Sequence, residues 1–234
     1  MENIKKYWKE KDNWGVRELI LLLVLEFLVV IAGIKYLLKP LYFKWLNNEL
    51  YAGTLVGVTI AITLMLGIYL IALRPKKLSW EEVGLTAFLK KDWILIVIYS
   101  IVLLLGAIII FILTSFIGNS WENDKTEALQ KEVTLFTFSI AFISAAIISP
   151  IYEEIFYRGF LYRWFRTRTG IIGGVLISSI IFTIVHIPTY NVMPVNFFSG
   201  IIFALAYERT NSIWPAIFIH GITNGVMVVL TSLG

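Results

Sequence analysis

The chain has 234 residues, of which 58% are apolar and 15% are charged, and it contains no cysteine. Soluble domains use about 25% charged residues to cover their surface, so this composition and a mean hydropathy of +0.80 exclude a soluble globule and a disordered chain. Without cysteine there is no disulfide scaffold, thiol nucleophile or cysteine-based zinc site. Basic residues lie at the ends of apolar runs, so we attribute the net charge of +4 to membrane topology and expect no nucleic-acid partner.

Apolar stretches long enough to cross a membrane recur along the chain. A bilayer core requires about 20 apolar residues per helix. By this criterion the sequence predicts an all-α, polytopic membrane helix bundle of about seven transmembrane helices. The predicted spans are Leu19–Leu38, Tyr51–Leu73, Trp93–Gly118, Val133–Arg163, Gly174–Pro188, Val195–Tyr207 and Ile213–Leu233. The first is too long for a cleavable signal peptide and is followed by no small-residue cleavage site, so we expect it to remain as an anchor.

Charged residues predict the orientation of these spans, because lysine and arginine favour cytoplasmic loops. Basic clusters precede the first span and follow the second and fourth: Lys5, Lys6, Lys9, Lys11, Arg17, Arg74, Lys76, Lys77, Lys90, Lys91, Arg163, Arg166 and Arg168. The connection Asn119–Glu132 is mainly acidic. We therefore expect a cytoplasmic N-terminus and, with seven spans, an external C-terminus. The predicted connection Lys35–Glu49 fits poorly, since it is basic yet expected outside.

The segment Leu78–Lys91 is too polar to cross the membrane. It is predicted to be a short amphipathic helix at the cytoplasmic interface. The expected apolar side consists of Trp80, Val83, Leu85 and Phe88.

Ionisable residues inside apolar stretches are expensive, at about 2.5–3.5 kcal/mol each on lenient scales, and therefore point to function. Glu153, Glu154 and Arg158 lie near the end of the fourth predicted span. Glu154 and Arg158 are four residues apart and share a helix face, whereas Glu153 points about 100° away. We therefore expect Glu154 to pair with Arg158 and Glu153 to remain available for chemistry. An interfacial cluster that merely ends a helix is the alternative.

Both histidines of the chain, His186 and His220, lie in apolar stretches. At helical spacing, Phe182 shares a face with His186, and Asn224 shares one with His220. A membrane histidine often serves only as a hydrogen-bonding partner between helices, but two histidines together with two glutamates and an asparagine favour a catalytic site. Glu26, in the first span, is expected to be a packing residue that pairs with a basic side chain or is protonated.

Three short motifs follow one another in the C-terminal half: Glu153-Glu154-x-x-x-Arg158, Phe182-x-x-x-His186 and His220-x-x-x-Asn224. In order and spacing they resemble the CPBP family, the CAAX-protease and bacteriocin-processing group, also called Abi, which contains the Rce1-type prenyl-protein endopeptidases. The resemblance extends from about Val133 to the C-terminus. The first three spans resemble the family only in being hydrophobic. We therefore predict an N-terminal three-helix membrane region, 1–132, with its interfacial segment 78–91, and a catalytic core, 133–234.

The resemblance implies an intramembrane endopeptidase of all-helical fold. It implies that Glu153 is the general base that activates a water, that His186 helps to hold this water, and that His220 and Asn224 stabilise the oxyanion. Glu154 and Arg158 would form an ion pair that supports the catalytic residues, and Phe182 is expected to support them as well.

The sequence leaves open whether a metal takes part. Glu153, His186 and His220 would be a suitable ligand set for zinc. However, the motif His-Glu-x-x-His is absent and these ligands would come from three separate helices. The family has been described both as metalloproteases and as glutamate-dependent proteases. We favour a metal-free mechanism in which water attacks directly.

The resemblance implies a membrane-associated peptide or protein as substrate. The composition resembles that of a bacterial protein, so a bacteriocin leader, a pheromone leader or a similar peptide in the cell membrane is expected. One alternative is a non-catalytic membrane immunity or regulatory protein that acts by binding a partner. Another is a transporter that uses Glu26 and the Glu/His set as a proton relay.

Overall fold

The computed structural model describes residues 12–115, 127, 129–130, 133–187 and 189–233, except for the side chains of Ser115 and Asn191. The four N-terminal lysines, most of the acidic connection Asn119–Glu132, and the predicted span ends Gly118 and Pro188 lie outside these residues. The long helices are α1 (Val16–Leu46), α2 (Glu49–Lys76), α3 (Asp92–Ser115), α4 (residues 135–169), α5 (residues 171–184), α6 (Met193–Thr210) and α7 (Trp214–Leu233).

The helix ends follow from local sequence signals. Asn47 ends α1 in the left-handed conformation (φ 48°), and the side chain of Asn48 accepts a hydrogen bond from the Tyr51 amide at the start of α2. Thr134 caps α4 by accepting a hydrogen bond from the Thr137 amide. Such caps satisfy backbone groups that have no partner within the helix.

The stretch Leu135–Ile184 is helical along almost its whole length but breaks at Gly170. This glycine has φ 75° and ψ −178°, a backbone conformation that favours glycine. The break separates α4 from α5. Within α4, two π-helical stretches, Ile143–Ile148 and Ile155–Tyr162, flank the turn that carries Glu153 and Glu154.

The all-α membrane fold predicted from the sequence is confirmed. Among the described residues, five helical stretches are long and apolar enough to cross a bilayer, namely Val16–Leu46, Glu49–Lys76, Asp92–Thr114, Leu135–Ile184 and Trp214–Leu233. The predicted number of seven spans is therefore not established. The fifth and sixth predicted spans correspond to the shorter helices α5 and α6.

The predicted basic connection Lys35–Glu49 is wrong. Residues 35–46 continue α1 as a helix, so that Asn47 and Asn48 form the connection to α2. Lysine is a good helix former, and the first left-handed residue is Asn47. Lys35 accordingly lies within the bundle.

The predicted interfacial helix Leu78–Lys91 is also wrong in its extent. Its only helical turn is the 3₁₀ turn Trp80–Val83, which ends at Gly84 with φ 86°. The segment is tied to the α6–α7 connection by the Ile213 amide, which donates to the Gly84 carbonyl at 2.8 Å, and by the Ser212 hydroxyl, which donates to the Thr86 carbonyl at 2.6 Å. The four predicted apolar residues do face inward, but they pack against the protein core. In this segment, hydrogen bonds from the α6–α7 connection to the Gly84 and Thr86 carbonyls thus take the place of hydrogen bonds within a helix.

The central helix is α4, which contacts α2, α5, α6 and α7. Its aromatic side chains Phe156 and Phe160 are fully buried. Because α4 lies in the middle of the bundle, Glu153 and Glu154 face neighbouring helices rather than lipid alone.

Candidate active site

A buried ion pair forms the base of the site. Arg158 Nη1 lies 3.0 Å from Glu154 Oε1, and neither side chain is exposed. Arg158 also donates through Nη2 to the Gly200 carbonyl of α6 at 3.3 Å, and its guanidinium carbon lies 4.3 Å from the centre of the Phe182 ring. The pairing predicted from the four-residue spacing is thus present, and Phe182 covers it.

The same carboxylate orients His220. Glu154 Oε1 lies 2.8 Å from His220 Nδ1, and the His220 ring stacks on Phe203 with centroids 4.6 Å apart. A hydrogen bond to one ring nitrogen determines how the other nitrogen is presented. The other nitrogen, Nε2, lies 3.9 Å from Glu153 Oε2.

A cavity of about 700 Å³ receives the predicted site residues. Glu153, His186, His220 and Asn224 all line it. The Glu153 side chain is 13% exposed, whereas that of its neighbour Glu154 is completely buried. Adjacent carboxylates therefore occupy different surroundings, as their positions around the helix predict. The structure thus brings the four side chains to one cavity.

His186 lies in the turn that follows α5, one turn beyond Phe182. Its Nδ1 lies 2.6 Å from the Phe182 carbonyl oxygen, and the two rings are 4.7 Å apart. The Thr189 hydroxyl donates to the His186 carbonyl. These contacts fix the ring, and Nε2 is the nitrogen left for other partners.

Asn224 is held against the first π-helical stretch of α4. Its amide nitrogen donates to the Ala145 carbonyl at 3.0 Å. A π-helical stretch disturbs the regular backbone pairing of a helix, and here a side chain from α7 bonds to that backbone. One of the two amide hydrogens of Asn224 is therefore used to join α7 to α4.

Sequence reasoning missed two further polar residues near the site. Asn196, at the start of α6, lines the cavity, and its buried amide nitrogen has no hydrogen-bond partner among the described residues. Lys35 of α1 donates from Nζ to the Val185 carbonyl at 2.7 Å, next to His186. The only sequence feature that pointed to a special place for Lys35 was its poor fit to a connection expected outside the membrane.

Glu26 is buried, with 2% of its surface exposed, and accepts a hydrogen bond from the Tyr157 hydroxyl at 2.8 Å. Its hydrogen-bond partner is therefore a tyrosine of α4 and not a basic side chain, the first of the two alternatives considered from the sequence. The bond joins α1 to α4 one turn beyond Glu153.

The described residues contain no group of three histidine, cysteine, aspartate or glutamate side chains arranged to hold a metal ion. Nδ1 of His220 is hydrogen-bonded to Glu154 and Nδ1 of His186 to the Phe182 carbonyl, so Nε2 is the nitrogen of each ring that remains for another partner. Glu153, His186 and His220 do not form such a group, and the reaction proposed below uses these side chains alone.

The helical fold is that of a multi-pass membrane protein, and Glu153, His186, His220 and Asn224 line a cavity among its helices. Residues 135–226 match the family model described as type II CAAX prenyl endopeptidase Rce1-like. This segment is therefore similar to the CAAX-protease group that the motifs resemble, a family of membrane proteases. The match runs from α4 into α7 and includes all the predicted site residues, whereas α1–α3 lie outside it. Comparisons with curated proteins and with solved structures found no match.

Proposed function

We propose that this protein is an intramembrane endopeptidase in which Glu153 activates a water molecule. The observation that carries the proposal is the contrast between two adjacent glutamates. Glu154 is buried and bound to both Arg158 and His220, whereas Glu153 opens into the cavity opposite His220. Glu153 Oε2 and His220 Nε2 are 3.9 Å apart, too far for a direct hydrogen bond but suitable for groups that share a small molecule between them.

In the proposed reaction, Glu153 takes a proton from water while the water oxygen bonds to the peptide carbonyl carbon. The carbonyl oxygen becomes an oxyanion, which accepts hydrogen bonds from the second amide hydrogen of Asn224 and from Nε2 of a His220 imidazolium whose Nδ1–H is donated to Glu154. His186 helps to hold the water. The carbon–nitrogen bond then breaks as the Glu153 proton passes to the leaving amine. The products are a carboxylic acid and an amine, and the acid proton passes to the amine to give a carboxylate and an ammonium group.

The family match supports a peptide or protein substrate at the membrane. Within that class we propose a membrane-associated peptide, such as a bacteriocin or pheromone leader, because the cavity lies among helices that cross the bilayer. Its walls are largely apolar, with residues such as Leu103, Phe111 and Val228. An apolar peptide segment would therefore bury its side chains here while its backbone meets the polar groups.

The test uses purified protein in lipid vesicles with a pool of quenched-fluorescence apolar peptides. Glu153→Gln keeps the shape of the side chain but removes the base, and should lower kcat/KM about 10²–10⁴-fold. Glu81→Gln is the matched control and should retain full activity. Glu81 is an exposed glutamate of the 3₁₀ turn Trp80–Val83 and does not line the cavity.

The same assay with a strong metal chelator is expected to give unchanged rates. Loss of activity on chelation, restored by stoichiometric zinc, would overturn the metal-free mechanism. Equal cleavage by wild type and Glu153→Gln would overturn the role of Glu153. A wild-type protein that cleaves no peptide in the pool or in cells, and functions equally well as Glu153→Gln, would favour the non-catalytic alternative.

A further inference from the structure

The first helix, which lies outside the family match, reaches the site through Lys35. Lys35 Nζ donates to the Val185 carbonyl at 2.7 Å, across 150 residues of sequence. Val185 caps the C-terminus of α5, and His186 follows it directly. Lys35 therefore holds the backbone that carries a residue lining the cavity.

This carbonyl needs a partner from outside its own helix. The last carbonyls of an α-helix accept no hydrogen bond from within the helix. Lysine side chains near a helix C-terminus can donate to these carbonyls, and their positive charge complements the helix dipole. On the other side of the turn, the Thr189 hydroxyl donates to the His186 carbonyl. The turn is thus fixed on both sides of His186.

Lys35 also contributes charge. It interacts electrostatically with Glu26 and Lys39 of its own helix, with Glu153 of α4, and with His186. Among the described residues, Arg158 is a further cation that interacts with Glu153, but it is already bound to Glu154 and to the Gly200 carbonyl. A carboxylate at membrane depth is costly, and a nearby positive charge reduces that cost.

We propose that Lys35 is a positioning residue of the active site: it fixes the His186 turn through the Val185 carbonyl and supplies a counter-charge for Glu153. The proposal rests on the endopeptidase function proposed above. It makes α1 part of the catalytic apparatus, although the family match begins only at α4. The Glu26–Tyr157 hydrogen bond supports it, because that bond docks α1 on α4 close to Glu153.

Three substitutions separate the two roles of Lys35. Lys35→Arg keeps a donor and a charge, Lys35→Gln keeps a donor without charge, and Lys35→Met keeps neither. The control is Lys39→Met, one turn further along α1, where Nζ pairs with Glu49 at 3.5 Å and both side chains are about one-third exposed. The readouts are kcat and KM on a peptide that the wild type cleaves, and the melting temperature in detergent.

We expect kcat to fall in the order Arg, Gln, Met, with Lys35→Met up to about 100-fold below wild type, because a small displacement of a catalytic group costs about that much. KM should change less than twofold, Lys35→Arg should retain most activity, and Lys39→Met should match wild type. If Lys35→Met does not fold, the comparison of Arg with Gln decides.

Wild-type kcat in the Gln and Met variants would overturn the proposal. So would an equal loss in Arg and Gln, or a loss explained entirely by a smaller folded fraction. Glu153→Gln is measured alongside: if it is inactive while the Lys35 variants are not impaired, only the role of Lys35 fails. If Glu153→Gln is fully active, the proposed function itself fails.

Discussion

At the scale of single residues, the arrangement around Glu154 explains how a charged group is kept in the middle of a membrane bundle. Its carboxylate meets Arg158 at 3.0 Å and His220 at 2.8 Å through the same oxygen. Arg158 is in turn covered by the rings of Phe182 and Phe203, at 4.3 and 5.1 Å. Breaking this cluster leaves an uncompensated charge, which costs far more than the intact pair contributes.

Arg158→Met should therefore destabilise the protein by about 3–5 kcal/mol, because Glu154 remains buried without its cation. Denaturant unfolding in detergent measures the loss. The control is Arg209→Met, since Arg209 is exposed on α6 and its guanidinium lies 5.8 Å from the Tyr99 ring. The double variant Glu154→Gln/Arg158→Met should recover part of the loss. A single variant as stable as the control would contradict this picture of the buried pair.

For Asn196 we predict that a substitution stabilises the protein. Its buried amide nitrogen has no partner among the described residues, and leaving a buried donor unsatisfied costs about 1–3 kcal/mol. Asn196→Leu should therefore raise the melting temperature. Thr223→Val is the control: it lines the same cavity, but its hydroxyl donates to the Ile219 and His220 carbonyls, so its loss should not stabilise the protein. A lower melting temperature for Asn196→Leu would show that the amide has a partner.

Local spacing predicted part of this site. The Glu154–Arg158 pair follows from their separation by one helical turn, and the different environment of Glu153 follows from its direction around α4. The Glu154–His220 contact spans 66 residues and depends on how α7 packs against α4, which no local pattern specifies. Lys35 was missed for the same reason, since its acceptor is a backbone carbonyl of another helix.

At the scale of the elements, the contact between α4 and α7 sets the distance between Glu153 and its partners. Gly221, next to His220, lies so close to α4 that an added Cβ atom would be 2.5 Å from the Ala146 carbonyl oxygen. The π-helical stretch Ile143–Ile148 contains Ala146 and also Ala145, whose carbonyl accepts the hydrogen bond from Asn224. A small residue and a widened helix together bring the two helices into contact.

Gly221→Ala should push α7 away from α4, lowering both the melting temperature and kcat. Gly33→Ala is the matched control: it is also a helical glycine, but its added Cβ would meet the nearest atom, the Leu28 carbonyl oxygen, at an ordinary 3.5 Å. Both substitutions gain about 1 kcal/mol of helix propensity, so that only Gly221→Ala has a clash to offset it. Equal stability and activity in the two variants would contradict a close contact at Gly221.

The segment Leu78–Lys91 shows where element prediction failed. The sequence predicted correctly which of its apolar residues pack inward. The helix predicted from their spacing does not form beyond one 3₁₀ turn. Val83 is completely buried, and its carbonyl oxygen would lie 2.5 Å from a Cβ added to Gly159 of α4. The segment is held by tertiary contacts with α4 and the α6–α7 connection, which override a weak local preference.

At the scale of the whole molecule, hydropathy predicted a multi-pass membrane protein because a bilayer admits chiefly helices whose backbone bonds are internal. The bounds of the shorter helices and the number of spans were less well determined. The division into 1–132 and 133–234 stays a prediction. Lys35 and Glu26 show how residues of the first region contact the second.

The orientation of the chain also stays a prediction, and the cysteine-free sequence makes it easy to test. Glu81→Cys, in the connection after α2, is expected to be protected from an impermeant thiol reagent in intact cells and labelled after lysis. Ser232→Cys, near the C-terminus, is expected to be labelled in intact cells. The unsubstituted protein is the control and should not react. The reverse pattern would invert the predicted topology.

The most direct measurement of the central claim compares the peptides of membranes from cells that produce wild type or Glu153→Gln at equal levels. If Glu153 activates water for peptide hydrolysis, wild-type membranes should contain peptides with new termini, and their uncleaved precursors should accumulate with Glu153→Gln. Identical sets of termini in the two membranes, with both proteins folded, would contradict an endopeptidase that depends on Glu153.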